Sequence, residues 1–365
     1  MSRVRTELAS IGPMRFDLPR CVKALTVPVP MAWGGLLLAG FAMTSGLSAC
    51  SGGEGDGPRF AFVSNGVDPF WNVAGAGARA AAAEFDVRVD LVYPEGGVVD
   101  QKQKLEDLIV RGVQGIAISP IDGVNMVPLL NKIAETTPLI TQDSDSPGSN
   151  RRCFVGVDNY VCGMACGELL KEALPDGGKV ALFIGRLEQE NSQLRRQGVI
   201  DVLLGREPDA TRRDSVEGTQ TGNGFTIVAT RTDDFDKAQA KANAEDVLVA
   251  HPDLKGMVGL FAYNAPACLE ALRGADRLGE VKVSSFDEQE ATLDGIEAGT
   301  VLGTISQDPF QYGYHSIRIL NGLAKGDESV LPDGGVHRVE PKIVTKANLA
   351  EFRMKLAKDV AAGAK

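Results

Sequence analysis

Polar and aromatic side chains follow several short apolar runs of this 365-residue chain. Carboxylates and amides exchange hydrogen bonds, while aromatic rings offer flat apolar faces. Such a set suits a polyhydroxylated small molecule, whose hydroxyls need partners and whose C–H faces pack on rings. The residues concerned are Asp68, Phe70 and Trp71 after run 60–64, Asp143 after run 139–142, Asn264 after run 257–261, Asp287 after run 281–286, and Gln307 after run 302–306.

The runs are rich in β-branched residues and alternate with longer Ala- and Leu-rich segments, a pattern that predicts β-α units and parallel sheets. Ligands of such sheets bind at the carboxyl ends of the strands. Ten strands are too many for one ordinary sheet, so the pattern predicts two doubly wound lobes with a cleft between them. The predicted strands span residues 60–64, 87–93, 115–119, 139–142, 153–157, 180–184, 225–231, 257–261, 281–286 and 302–306. The predicted helices include 98–111, 160–174, 236–250, 310–325 and 347–361, and 206–224 has the composition of a surface loop.

The first fifty residues have a different character from the rest. Basic residues precede the apolar run 31–43, which is short for a membrane span but suits the core of a signal peptide. Leu47-Ser48-Ala49-Cys50 resembles the cleavage box of bacterial lipoproteins, and the Gly-rich segment after it has the composition of a flexible tether. We therefore expect a signal peptide over 1–49, lipidation of Cys50 and a tether over 50–58; the alternatives are a chance cysteine and an uncleaved anchor helix.

Charge and cysteine content narrow the function classes. The net charge of −10 argues against nucleic acid as a partner, because a phosphate backbone needs a basic surface. Cys153, Cys162, Cys166 and Cys268 remain after the leader, and disulfides and buried thiols are equally compatible with their spacing. No Cys/His spacing typical of a metal site occurs, so we predict neither a metal nor a cofactor. The GxGxxA pattern at 75–80 lies too far beyond the first strand for a dinucleotide site, and close helix packing explains it better.

Five longer segments together are similar to a known family. They are 68–71 (DPFW), 155–163 (VGVDNYVCG), 233–256, 259–267 and 285–314. They resemble the periplasmic sugar-binding proteins of the ribose-binding type, which are type I periplasmic binding proteins serving ABC transporters. The resemblance runs from about residue 59 to about residue 349. It implies an α/β fold of two doubly wound parallel-sheet lobes joined by a multi-strand hinge, with an N-terminal lobe over 59–157 and 308–336, a C-terminal lobe over 158–307 and 337–347, and a final helix over 348–365.

The resemblance also implies a ligand-binding set at the positions that match the family motifs. Ser144 occupies a position that is often Arg in close ribose binders, which argues against assuming ribose. Ser119 matches a weaker polar contact. The implied set is Asp68, Phe70, Trp71, Ser119, Asp143, Arg195, Phe235, Asn264, Asp287 and Gln307.

Each of these residues also has a purely structural interpretation. Asp68, Asn264 and Asp287 could serve as helix caps, and Phe70 and Trp71 could belong to the core. Arg195 could be half of a solvated pair with Arg196, which we expect to face solvent. The recurrence of polar residues after separate strands favours the binding interpretation.

These features predict a periplasmic or cell-surface lipoprotein, attached to the membrane through Cys50, that binds a sugar and delivers it to ABC transporter permease subunits. We expect a monomer and no enzymatic activity, since no GxSxG, P-loop or HExxH motif occurs. A sensor that presents a furanosyl signal to a membrane receptor is an alternative. A carboxylate-dependent glycosidase has no positive signal, and a transcriptional repressor is disfavoured by the leader.

Overall fold

The computed structural model describes residues 57–364, so Cys50 and the predicted signal peptide lie outside the described part. Its first sheet begins with five parallel strands in the order β2-β1-β3-β4-β5, a doubly wound arrangement. The apolar residues of β1, β3, β4 and β5 are buried, as expected of a parallel sheet covered by helices, whereas those of the edge strand β2 are half-buried. The strands are β1 (Arg59–Val63), β2 (Arg88–Val92), β3 (Ile116–Ile118), β4 (Leu139–Gln142) and β5 (Phe154–Gly156).

The second sheet repeats this order with later segments of the chain. Strands run β8-β6-β9-β10-β11 in parallel, and β7 pairs antiparallel with β8 at one edge. The strands are β6 (Gly178–Ile184), β7 (Gln220–Gly222), β8 (Phe225–Thr232), β9 (Leu254–Gly259), β10 (Lys282–Phe286) and β11 (Gly303–Ser306).

The chain crosses between the sheets at three places. It passes from β5 into the second sheet's helices near Val157, and it returns after Gln307. The last two strands are β12 (Val336–Arg338), parallel to β5 in the first sheet, and β13 (Lys342–Val344), antiparallel to β11 in the second. The third crossing therefore lies between Arg338 and Lys342, slightly later than the position near Val336 expected from the sequence.

Ten α-helices connect or cover these strands in the described part of the chain. We call each sheet with the helices packed on it a lobe. The helices are α1 (Pro69–Phe85), α2 (Gly97–Val110), α3 (Val127–Ala134), α4 (Asn159–Ala173), α5 (Glu190–Leu203), α6 (Lys237–Ala250), α7 (Asn264–Gly274), α8 (Glu290–Ala298), α9 (Pro309–Ala324) and α10 (Leu349–Ala362).

Each lobe contains one helix pair whose backbones touch at glycine. In the first lobe α1 crosses α9, where a Cβ on Gly77 would overlap the Phe310 carbonyl and a Cβ on Gly313 would overlap that of Ala74. In the second lobe α4 crosses α5, with Gly163 against the Arg195 backbone in the same way. Gly75 and Gly77 thus lie inside α1, and close packing is the reason for the glycine at position 77, as the sequence predicted.

Helix α10 contacts both lobes. Its Leu349 belongs to the buried core of the second lobe, and Arg353 pairs with Glu290 and Asp294 of α8. At its other end, Arg79 Nε of α1 donates to the Gly363 carbonyl at 2.7 Å. Helix α10 and Gly363 therefore connect the first lobe to the second outside the three crossing segments.

The α/β fold predicted from sequence is confirmed, with most element ends within one to three residues of their expected positions. One exception is the polar stretch 206–224, which contains β7 as well as loop. Cys153, Cys162, Cys166 and Cys268 are buried free thiols. Among residues 57–364, no helix has both the length and the apolar character needed to cross a bilayer.

Candidate functional site

A cavity lies between the carboxyl ends of the two sheets. The first lobe contributes Asn65, Asp68, Phe70, Trp71 and Asp143 to its wall. The second lobe and the second crossing contribute Asn191, Arg195, Phe235, Phe261, Ala262, Tyr263, Asp287 and Gln307.

Asp143 stands just beyond β4 at the floor of this cavity. Ser119 Oγ, at the end of β3, donates to its Oδ2 at 2.8 Å, and Asn65 Nδ2, beyond β1, lies 3.4 Å from the same oxygen. From the opposite lobe, Asn191 Nδ2 approaches at 3.3 Å. Burial raises the pKa of Asp143, while the nearby Arg195 and the hydrogen bonds from Ser119 and Asn191 oppose that rise. The carboxylate is thus an acceptor held from both lobes.

Arg195 is the central cation of the site and is 1% exposed. Its Nε donates to Asn159 Oδ1 at 2.8 Å and its Nη1 to the Leu260 carbonyl at 3.1 Å. Its Nη2 donates to Gln307 Oε1 at 2.5 Å and lies 3.6 Å from Asp143 Oδ1. The guanidinium also lies over the Phe286 ring at 4.7 Å. Contacts on every side fix its orientation toward the cavity.

Gln307 connects this arginine to a second carboxylate. Its Nε2 donates to Asp287 Oδ1 at 2.8 Å, while its Oε1 also accepts from the Tyr312 hydroxyl at 3.1 Å. Tyr312 in turn accepts from the Val157 N–H, so one buried phenol contacts both the first and the second crossing segment. Burial raises the pKa of Asp287, with Arg195 acting in the opposite sense.

Aromatic rings cover two sides of the cavity. On the first-lobe side Phe70 and Trp71 meet edge to face, with ring centroids 4.9 Å apart. On the second-lobe side Phe235 stacks on Phe261 at 5.3 Å, and Tyr263 lies beside both rings. Opposed aromatic walls can enclose a flat ring between its two faces.

A buried carboxylate behind the cavity organises the second-lobe wall. Asp233 accepts from the Tyr263 hydroxyl, from Asn264 Nδ2 at 2.8 Å and from the Phe235 N–H at 3.0 Å. Burial raises its pKa to about 6. The sequence analysis did not select Asp233. Its position at the start of the Asp233-Asp234-Phe235 turn, next to the predicted ligand contact Phe235, could have indicated it.

Three cavity residues have left-handed backbone conformations, which non-glycine residues rarely adopt. The φ angles are 60° at Asp143, 67° at Phe235 and 66° at Asp287. Such conformations cost about 1 to 3 kcal/mol each and concentrate at functional sites. Here they turn the side chains that follow β4, β8 and β10 into the cleft.

The structure brings most of the predicted residues together around the cavity, and two stand behind its wall. Ser119 lies beneath Asp143 as its hydrogen-bond donor. Asn264 is fully buried and does not cap α7, so the capping interpretation was wrong for this residue: its Oδ1 accepts from the Phe261 N–H, which precedes the helix, and its Nδ2 donates to Asp233. Asp68 does both: it caps α1 by accepting from the Phe70 N–H and also lines the cavity. Wall residues that the sequence reasoning did not select are Asn65, Asn191, Phe261, Ala262 and Tyr263.

The expectation that Arg196 faces solvent was wrong. The residue is 4% exposed, and its guanidinium donates to Thr230 Oγ1 and to the carbonyls of Asp214 and Ser215. The loop 206–224 folds over it and supplies two of these acceptors. Arg196 therefore anchors that loop, and it is not among the residues that line the cavity.

Among residues 57–364, no group of three or more His, Cys, Asp or Glu side chains is arranged to hold a metal ion. The carboxylates of the cavity instead contact amides, a hydroxyl and a guanidinium. The site is therefore arranged for hydrogen bonding and ring packing.

Two doubly wound lobes with a cavity at the ends of both sheets define the class of bilobal binding proteins. A family model described as a periplasmic binding protein domain matches residues 60–328. The chain belongs to this family.

Curated and solved relatives agree with this assignment. The chain is 26% identical over 313 residues to the D-ribose/D-allose-binding protein of Pseudomonas aeruginosa, covering 82% of this chain and 92% of that protein. Among solved structures, a glucose-galactose binding protein from Geobacillus stearothermophilus superposes with a TM-score of 0.70 at 26% identity, covering 80% of this chain and 99% of the other. An ABC transporter solute-binding protein from Burkholderia graminis, in complex with D-arabinose, gives 0.72 at 27% identity, covering 81% and 98%.

Proposed function

We propose that this protein is the extracytoplasmic substrate-binding component of an ABC-type importer and that it binds a monosaccharide or a similar polyol between its lobes. The observation that carries the proposal is the cavity itself. It combines carboxylates, amides and one fixed guanidinium with aromatic rings on two sides, which are the groups that bind a hydroxylated ring. The relatives named for ribose, allose, glucose, galactose and arabinose support the same class of ligand.

The proposed ligand-binding residues are those predicted from the sequence, together with the further cavity-lining residues that the structure adds. Arg195, Asp143 and Asp287 hold hydroxyls, and Phe70, Trp71 and Phe235 pack on the ring. Ser119 positions Asp143 by donating a hydrogen bond to its carboxylate. Asn264 donates to Asp233, the carboxylate that also accepts from the Tyr263 hydroxyl. No step of catalysis belongs to the proposal.

Native mass spectrometry of the gently purified protein tests the ligand class directly. We expect a retained small molecule with the mass of a polyol, which isothermal titration calorimetry then confirms after its removal and re-addition. A retained ligand without hydroxyl groups, such as an apolar amino acid, would contradict the proposal.

Closure of the lobes around the ligand is the second part of the proposal. Side chains already meet across the cleft: Asp68 accepts from Gln289 Nε2 at 3.0 Å and lies 3.5 Å from Lys237 Nζ. A ligand that contacts both walls binds the closed form better and therefore shifts the population toward it. Small-angle scattering with and without ligand measures this shift, and an unchanged radius of gyration at saturation would count against it.

Attachment to the membrane through Cys50 is the third part. It rests on the order of apolar run, small residues and cysteine in the sequence, since Cys50 lies outside the described residues. We expect palmitate label on the wild-type protein and none on Cys50→Ala. A wild-type protein that stays unlabelled in the soluble fraction would refute the anchor while leaving ligand binding untouched.

A further inference from the structure

The charges on the cavity wall are unbalanced. Three carboxylates face the cavity, those of Asp68, Asp143 and Asp287. Among the cavity-lining residues of the described part of the chain, Arg195 alone carries a positive charge. Arg195 is engaged by Asp143, Asn159 and Gln307. Lys237 approaches Asp68 from the cleft rim, where its side chain is 58% exposed. With a neutral ligand bound, the cavity would therefore bury more negative than positive charge.

The hydrogen-bond donors of the wall already have acceptors within the protein. Trp71 Nε1 donates to Asn65 Oδ1 at 3.1 Å, Tyr263 donates to Asp233, and Gln307 Nε2 donates to Asp287. Asn65 and Asn191 direct their amide nitrogens to Asp143. The cavity therefore has few donors left to offer a ligand.

Acceptors are in surplus instead. Asn191 is 2% exposed, and its Oδ1 has no hydrogen-bond partner among residues 57–364. Within the same residues, Gln307 alone donates to the Asp287 carboxylate, and only to its Oδ1. A buried acceptor without a donor destabilises the protein, so a ligand that supplies donors at these points is favoured.

An alkylammonium group meets both requirements, because it carries one positive charge and three N–H donors. The surrounding rings add to this, since the faces of Trp, Tyr and Phe attract cations. We propose that the ligand is a polyhydroxylated ring bearing a protonated amine, as in an amino sugar or an aminocyclitol, with the amine held by Asp287 beside Asp143. This inference rests on the proposed function and narrows its ligand class.

Titration calorimetry with matched pairs tests it. The pairs are D-glucose with D-glucosamine, D-galactose with D-galactosamine, and myo-inositol with its monoamine, at pH 6.5, where the amines are protonated. We expect the amino member of at least one pair to bind tenfold or more tightly than its neutral partner. Asp287→Asn, which keeps the Gln307 hydrogen bond, should reduce that preference to threefold or less. Asp253→Asn is the control, because its side chain is 62% exposed and precedes β9 at the end opposite the cleft.

Each contrary outcome has a distinct meaning. Neutral members that bind as tightly as the amino members in all pairs would overturn the amine assignment and leave the sugar-binding proposal intact. A preference that survives Asp287→Asn would overturn the role of Asp287. If no member of any pair binds, while native mass spectrometry shows a ligand that is not a polyol, the proposed function fails and the inference fails with it.

Discussion

The two lobes share a strand order but differ in the charges they bring to the cavity: the first-lobe wall carries two carboxylates, while the second-lobe wall carries Arg195 together with Asp287. The first lobe contributes Asp68 and Asp143, and the groups that neutralise them come from the second lobe as Arg195, Lys237 and amides. The carboxylates of the first lobe are therefore balanced by groups of the second, and the site is formed by both lobes together.

The lobes also differ in how far apart along the chain their two touching helices lie. In the second lobe the touching helices α4 and α5 are consecutive, whereas in the first lobe α1 meets α9, which begins at Pro309 after nearly all of the second lobe. Closing the longer loop costs more entropy, although the cost grows only slowly with length. The same glycine-mediated contact therefore serves a local pair in one lobe and a distant pair in the other.

We expect the largest effect from removing the positive charge at the centre of the site. Arg195→Ala removes the cation that faces Asp143 and leaves that carboxylate buried without it, a change on the order of 3 to 5 kcal/mol. We expect ligand affinity to fall at least about a hundredfold in titration calorimetry, after correction for the folded fraction. Arg196→Ala is the matched control, since this neighbour is nearly as buried but contacts Thr230 and the 206–224 loop. It should melt earlier yet bind normally; equal binding by both variants would place the site elsewhere.

A second test compares the two glycine crossings. Gly77→Ala and Gly163→Ala each force a Cβ into the backbone of the partner helix, and overpacking of this kind costs about 1 to 3 kcal/mol. Thermal melts should show lower stability for both variants. Gly274→Ala, with open space around its Cβ position, should change little. Wild-type stability of Gly77→Ala would mean that α1 and α9 are not in backbone contact.

A third test concerns Asp287, the carboxylate of the second lobe that lines the cavity. Because burial raises the pKa of Asp287 above its ordinary value of about 4, ionisation of this group costs stability as the pH rises from that value toward neutrality. Asp287→Asn cannot ionise, so its ligand-free form should be more stable than wild type near pH 7 by about 1 kcal/mol or more, with the gain vanishing near pH 4. Denaturation across this pH range measures the difference, and a gain independent of pH would contradict the assignment.

The smallest expected effect concerns the second-lobe ring wall. Phe235→Leu removes the stack on Phe261 and the contact with the Arg186 guanidinium at 4.7 Å. Aromatic pairs contribute about 0.5 to 1.5 kcal/mol beyond their buried area, which corresponds to a loss of about two- to tenfold in affinity. Titration calorimetry should show this modest loss with little change in melting temperature. A hundredfold loss would mean that Phe235 orders the Asp233 turn rather than packing on ligand.

Sequence patterns predicted the features that depend on local order along the chain. Strand β4 was predicted with both of its ends, and Asp143 was found because it directly follows that strand. The pattern could not find Asn191, which lies within a helix whose polar residues occupy several faces, nor the burial of Arg196, which depends on a loop ten to twenty residues away. Tyr263 was passed over for its neighbour Asn264, because a one-residue difference at the start of α7 decides which side chain enters the cleft.

The placement of α10 has a practical side for anyone who expresses this protein. Gly363 packs so closely on Ala76 that a Cβ there would overlap it, and Arg353 is fastened to α8 a few turns earlier. A purification tag fused directly after Lys365 would lie close to a contact shared by both lobes, and we expect it to change the apparent ligand affinity. The same tag on a long Gly/Ser linker would leave that contact undisturbed, so fusion geometry belongs among the controls of every binding measurement.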